Sequence, residues 1–153
     1  MNCVSIVTEP GTVAVSQTGP VTGCIWLEFN GNCFPEHAWN DLVIVVMGWW
    51  LAALLRLQRQ ESQRETIDFM DGPYRLEISR TETGMLSVRA FDDQRGKDAV
   101  ATGETPLPPF VAQATAQAVA LLEACRRNRV WSKDEQSLHE LVEKCQAALT
   151  APQ

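Results

Sequence analysis

A chain of 153 residues, 45% hydrophobic and 21% charged, has the length of one domain and the composition of a packed core rather than of a disordered segment. Its net charge of −6 argues against a nucleic-acid surface, which needs clustered Lys and Arg, and residues 1–55 carry four acids (Glu9, Glu28, Glu36, Asp41) and no Lys or Arg. The amino terminus lacks a basic stretch followed by a long apolar one, so the expectation is a single cytoplasmic domain over residues 1–153.

Residues 4–7 and 12–15 are short apolar runs joined through Glu9-Pro10-Gly11. A Pro-Gly centre suits a type II turn, which predicts a first hairpin. Residues 22–29 form a third strand, with Ile25, Leu27 and Phe29 on one side and Cys24, Trp26 and Glu28 on the other. Trp26 on the second side implies that this side is at least half covered. Asn30-Gly31-Asn32 turns the chain, and residues 34–39 lead into its most apolar stretch.

That stretch, residues 42–55, is 14 residues without a charge, closed by Asp41 and Arg56. It is too short for a bilayer, which needs about 20. As a helix it is apolar on every side, and such a helix is buried on more than one side. Asn40 or Asp41 offers an N-cap, Trp39 a hydrophobic staple onto Val45, and Gly48 a place for close backbone approach. The β-branched run 42–46 leaves a buried strand as the rival reading of residues 42–47.

After a polar break at 58–64, residues 66–70 and 74–79 flank Asp71-Gly72, the signal of a two-residue hairpin turn. Tyr74, Leu76 and Ile78 share one face, opposite Arg75, Glu77 and Ser79. Residues 85–91, with Leu86, Val88 and Ala90 inward, complete a three-stranded meander. The polar stretch 92–104 reads as a surface loop. Pro106, Pro108 and Pro109 set up a helix over 110–127, and Ser132-Lys-Asp-Glu135 is a capping box that opens a last amphipathic helix carrying a Glu140/Lys144 pair. The order predicts an α+β fold: a mainly antiparallel sheet of five to six strands, a central apolar helix, and a C-terminal helical hairpin on one face. The protomer is a monomer, or a homodimer that hides one row of the central helix.

Chemistry is sparse. The five cysteines show no CxxC and are expected to be free thiols. Cys24, Cys33 and His37 match no usual zinc spacing, and Cys33 with His37 lacks an orienting third group, so neither a metal nor a nucleophile is assigned. HExxH, GxSxG and glycine-rich phosphate loops are absent, which predicts no cofactor and no catalysis.

The run Phe34-Pro35-Glu36, Trp39-Asn40-Asp41, Gly48-Trp49-Trp50 and Phe69-Met70-Asp71-Gly72-Pro73-Tyr74 resembles short bacterial immunity proteins of polymorphic-toxin and contact-dependent growth inhibition systems, over roughly residues 25–90. The resemblance implies a cytosolic antidote that binds a cognate toxin domain and blocks its active site. Joined to the acidic charge, it suggests a basic nuclease as the partner, met by Glu36, His37, Asp71 and Glu77. A non-catalytic assembly subunit is the alternative, and a small enzyme of unknown reaction the third.

Overall fold

The apolar run is helical from its β-branched start. In the computed structural model, which describes residues 3–15 and 19–151, helix α1 spans Val43–Gln58. Before it come β1 (Val4–Val15), β2 (Val21–Phe29), β3 (Asn32–Phe34) and β4 (Asn40–Asp41), and after it β5 (Arg64–Asp68), β6 (Tyr74–Arg80), β7 (Met85–Asp92) and β8 (Ala101–Pro106). Helices α2 (Leu107–Arg127) and α3 (Lys133–Thr150) close the chain. No helix among the described residues is long and apolar enough to cross a membrane.

The fold is α+β, but its strands divide into two antiparallel sheets of four among the described residues, instead of one sheet of five to six. Sheet A runs β1-β2-β3, with β4 also on β2, and sheet B runs β5-β6-β7-β8. The Pro10-Gly11 pair does not turn the chain, because β1 is continuous and pairs with β2 along its length. The extra residues are taken up as a bulge between Glu9 and Ala14, where the Thr12 hydroxyl donates to Glu9 O (2.6 Å) and accepts from Cys24 N (2.9 Å), standing in for the interrupted ladder. The Asp71-Gly72 connection is longer than two residues: the last paired strand residues are Asp68 and Arg75, and Phe69 N still donates to Tyr74 O. The polar stretch 92–104 contains β8, whose buried Gly103 and Thr105 alternate with exposed Thr102 and Glu104. An alternation made of such small residues carries no hydropathy signal.

Helix α1 packs on β2, on β5 and on both C-terminal helices, with the Cys145 thiol 4.0 Å from Leu51 O. Both sheets, α1 and α2 meet at a small apolar void of about 10 Å³, lined by Ile6 and Leu27 of sheet A, Trp50 and Leu54 of α1, Ile67, Leu76, Ile78 and Val88 of sheet B, and Phe110 of α2. Burial is not complete around α1. Val45, Gly48 and Ala52 are half-buried, and Trp49 is 42% exposed while Trp50 is 1% exposed. Gly48 serves no close approach, since a Cβ there would meet nothing within 4 Å.

The two outer helices form where their sequences predict, but Glu140 and Lys144 make no ion pair among the described residues. Ser132 caps α3 by accepting from Asp134 N, and the Glu135 carboxylate closes the box onto Ser132 N (3.1 Å). His139 Nε2 lies 2.9 Å from Glu143 at i,i+4 spacing on its wet side, and Glu140 accepts from Gln136. Helix α2 lies along the outer edge of β1: Ile6 N donates to Gln113 Oε1 (3.0 Å), Gln117 Nε2 donates to Ile6 O (3.5 Å), and the Thr8 hydroxyl donates to Gln117 Oε1. All five cysteines are unpaired.

Candidate functional site

Aromatic side chains from separate stretches of the chain, Phe34, Trp39, Trp50, Phe69 and Tyr74, are drawn by the fold into one cluster. Phe34, at the end of β3, stands edge-on to Phe69 (5.9 Å between ring centres) and to Tyr74 (5.6 Å). Trp39 meets Tyr74 edge-on at 5.2 Å, and Trp50 of α1 meets Phe69 at 5.4 Å. Edge-to-face rings of this kind contribute about 0.5–1.5 kcal/mol per pair beyond their buried area. Together they lock the β3–α1 segment to the β5–β6 loop.

Asp41 is the polar centre of the cluster. It is not an N-cap; the residue at the cap position of α1 is Leu42, whose side chain makes no capping bond. Asp41 is 4% exposed, and its Oδ2 accepts from Trp39 Nε1 (3.0 Å) and from Asp71 N (3.2 Å), while Oδ1 accepts from Leu42 N (2.7 Å). One carboxylate thus ties the ring of Trp39, the tip of the β5–β6 loop and the start of α1. Trp39 packs on Tyr74, which replaces the expected staple. Gly72, at φ +75°, completes the tip: a Cβ there would stand 2.7 Å from Tyr74 Cε2.

Around this cluster lie the predicted partner contacts. Glu36 and His37 are exposed in the β3–β4 connection, and the His37 ring packs over Trp26 at 5.3 Å on the outer side of sheet A. Trp26 is 2% exposed, and its Nε1 has no hydrogen-bond partner. Asp71 is exposed at the loop tip beside Trp39 and Asp41. Glu77 belongs elsewhere, on the outer side of sheet B, where Arg75 Nη1 donates to it at 3.0 Å. Arg75 also donates to Asp93 (3.0 Å) and lies 4.2 Å over the centre of the Phe91 ring, with Arg89 at 5.1 Å. The bond to Glu77, foremost, raises Arg75 above the usual guanidinium value. Glu77 is therefore a partly neutralised acid, whereas Glu36 and Asp71 take part in no ion pair among the described residues.

The outer side of sheet A collects Ser5, Val7 and Glu9 of β1 opposite Glu28, Trp26 and Cys24 of β2, with Cys33 of β3 beside Glu28. The Cys24 thiol donates to Ala38 O at 3.4 Å. Among the described residues no group of three or more His, Cys, Asp or Glu side chains is placed to hold a metal ion. Sequence reasoning missed the Arg75–Glu77–Asp93 network and the Asp41 tether. The first was signalled only by same-face spacing within β6, and the second only by the Trp39-x-Asp41 spacing. No protein-family model, curated protein or solved structure matches this chain.

Proposed function

We propose that this protein is a non-catalytic cytosolic immunity protein, which binds a cognate toxin domain, a basic nuclease, and occludes its active site. The observation that carries the reading is a segregation of charge. The base-free first 55 residues form all of sheet A and most of α1, so that side of the molecule presents Glu9, Glu28 and Glu36 with no Lys or Arg among them. Asp71 joins this acidic side through the Asp41 tether. The thirteen bases all lie in the later part of the chain.

A nuclease holds phosphates with Lys and Arg, and an inhibitor that offers carboxylates to the same groups gains both association rate and specificity. Glu36, His37 and Asp71 are the contacts on this side. Glu77, already bonded to Arg75, is the weakest of the four candidates. The aromatic cluster acts as scaffold, fixing the two loops that carry these side chains.

The test is binding to the protein encoded beside this one. Glu36→Lys with Asp71→Lys should slow association about 10-fold or more at low salt, with the difference closing as salt rises. Melting temperature should be unchanged. A parent protein that does not bind, or binds without salt dependence, would return the chain to the reading of an assembly subunit.

A further inference from the structure

Each sheet has outer edges, and the molecule treats them differently. The free edge of β1 is capped by Gln113 and Gln117 of α2, and β8 approaches β1 and β2 of the other sheet. Strand β5 pairs with β6 alone, and no other hydrogen bond to its backbone occurs among the described residues. The direction of its unpaired groups follows from the ladder. Arg80 N donates to Gln63 O and Phe69 N donates to Tyr74 O, so the odd-numbered residues of this strand face β6. In an antiparallel ladder alternate residues point the other way. Arg64, Thr66 and Asp68 therefore aim their N–H and C=O groups at the open edge, and their side chains are exposed.

We propose that this edge is a homodimer interface, in which β5 pairs antiparallel with β5 of a second copy about a two-fold axis through Thr66. The sequence Arg64-Glu65-Thr66-Ile67-Asp68 is complementary to itself in that register. Thr66 falls opposite Thr66, and Arg64 falls opposite Asp68 twice. Every one of these pairs joins residues whose backbone groups already point outward, so each exchanges both N–H···O bonds. Edge strands are commonly blunted by like charges, which repel a copy. Here the charges on the exposed row are opposite and placed to attract one another.

The underside of the interface supplies the apolar part. Arg56 Nη2 reaches Glu65 on β5 at 2.6 Å, and Trp49, Ala52 and Val45 occupy the same side of α1 as Arg56 at helical spacing. Trp49, exposed on this side of α1, is the apolar residue that pairing about the two-fold axis would carry toward its copy, beneath a continuous eight-stranded sheet. This interface is separate from the acidic side of sheet A and does not depend on the toxin reading.

Thr66→Pro tests the proposal with little cost to the monomer, because the N–H it removes points away from β6. Sedimentation equilibrium of the parent should give twice the 17.0 kDa chain mass, and Thr66→Pro should raise the dissociation constant about tenfold or more. Arg64→Asp should weaken the dimer, and Arg64→Asp with Asp68→Arg should restore it. Circular dichroism melts of the variants report whether each remains folded. A parent that is monomeric up to about 100 μM, well above the affinities of stable dimers, overturns the proposal. So does a dimer indifferent to both Thr66→Pro and the charge exchange, which would place the contact on another surface.

Discussion

Replacing Asp41 by Asn changes almost nothing in volume and removes one acceptor. The two carboxylate oxygens accept from three N–H donors: Trp39 Nε1 and Asp71 N on Oδ2, and Leu42 N on Oδ1. An Asn side chain has one acceptor oxygen and an NH2 group. Turned so that the oxygen serves Trp39 and Asp71, it sets its NH2 against Leu42 N–H; turned the other way, it faces two donors. The first arrangement costs less. It leaves one buried donor unsatisfied, at about 1–3 kcal/mol, and weakens two bonds that had an ionised acceptor. The expected loss is about 2–4 kcal/mol on the same scale. With a urea slope of about 1–3 kcal/mol per molar, the midpoint should fall by roughly 1–2 M at unchanged slope. Asp71→Ala is the control, since the donor there is the backbone N–H, and it should stay within about 0.5 kcal/mol of the parent. Trp39→Phe removes a single donor and should combine non-additively with Asp41→Asn. An Asp41→Asn midpoint within about 0.2 M of the parent would refute the tether, because a single unmade buried bond already exceeds that shift.

Trp50→Ala should cost about 3–5 kcal/mol in chemical denaturation, because Trp50 is 1% exposed and lines the central void, whereas Trp49→Ala, at a 42% exposed ring, should cost far less to the monomer. Equal effects at the two positions would contradict the orientation of α1. Gly48→Ala should stabilise the protein by about 0.5–1 kcal/mol, since a helix-interior glycine with open space around it has only its backbone freedom to lose, and a lower melting temperature would show that something packs there. The Glu65 carboxyl is held below its ordinary value, chiefly by the hydrogen bond from Arg56. Because the folded value is the lower one, the stability it lends is present above the unfolded value of 4.5 and is lost as pH falls through the folded value. Denaturation of Arg56→Met should therefore differ from the parent by up to about 1 kcal/mol at pH 7, and the gap should close as pH falls below 4.5 through the folded value; a gap that persists in acid points to lost packing of the Arg56 stem instead.

How much of this was visible beforehand depended on whether local chemistry and tertiary demand agreed. Strand β2, helices α2 and α3 and the Ser132 capping box followed from periodicity because each repeats a strong pattern over many residues. At Pro10-Gly11 the local turn preference lost to the long pairing of β1 with β2, which absorbs the same residues as a bulge. Asp71-Gly72 does turn the chain, but burial of Phe69 and the hold of Asp41 on Asp71 N lengthen the connection. Strand β8 turns only Ala101, Gly103 and Thr105 inward, so nothing in its hydropathy marks it. The exposure of Glu36, His37 and Asp71 and the shared outer face of Arg75 and Glu77 were legible from turn chemistry and strand alternation, while the bond between Arg75 and Glu77 depends on side-chain placement that alternation does not fix. Asp41 reads as a cap in the sequence because a carboxylate just before a helix has an obvious local use, whereas one of its three donors comes from a loop 30 residues away.

The Gln113 and Gln117 bonds to Ile6 join residues 107 and 111 apart, which sets an order of events during synthesis. At about 5–20 residues per second, β1 waits roughly 5–20 s after emerging before the helix that satisfies its outer edge has been made. Through that interval the nascent chain carries a strand with unanswered N–H and C=O groups, the kind of edge that recruits other chains. A message truncated before Leu107 yields a product that never loses it. Such fragments keep an open edge of the kind that chaperones and proteases act on.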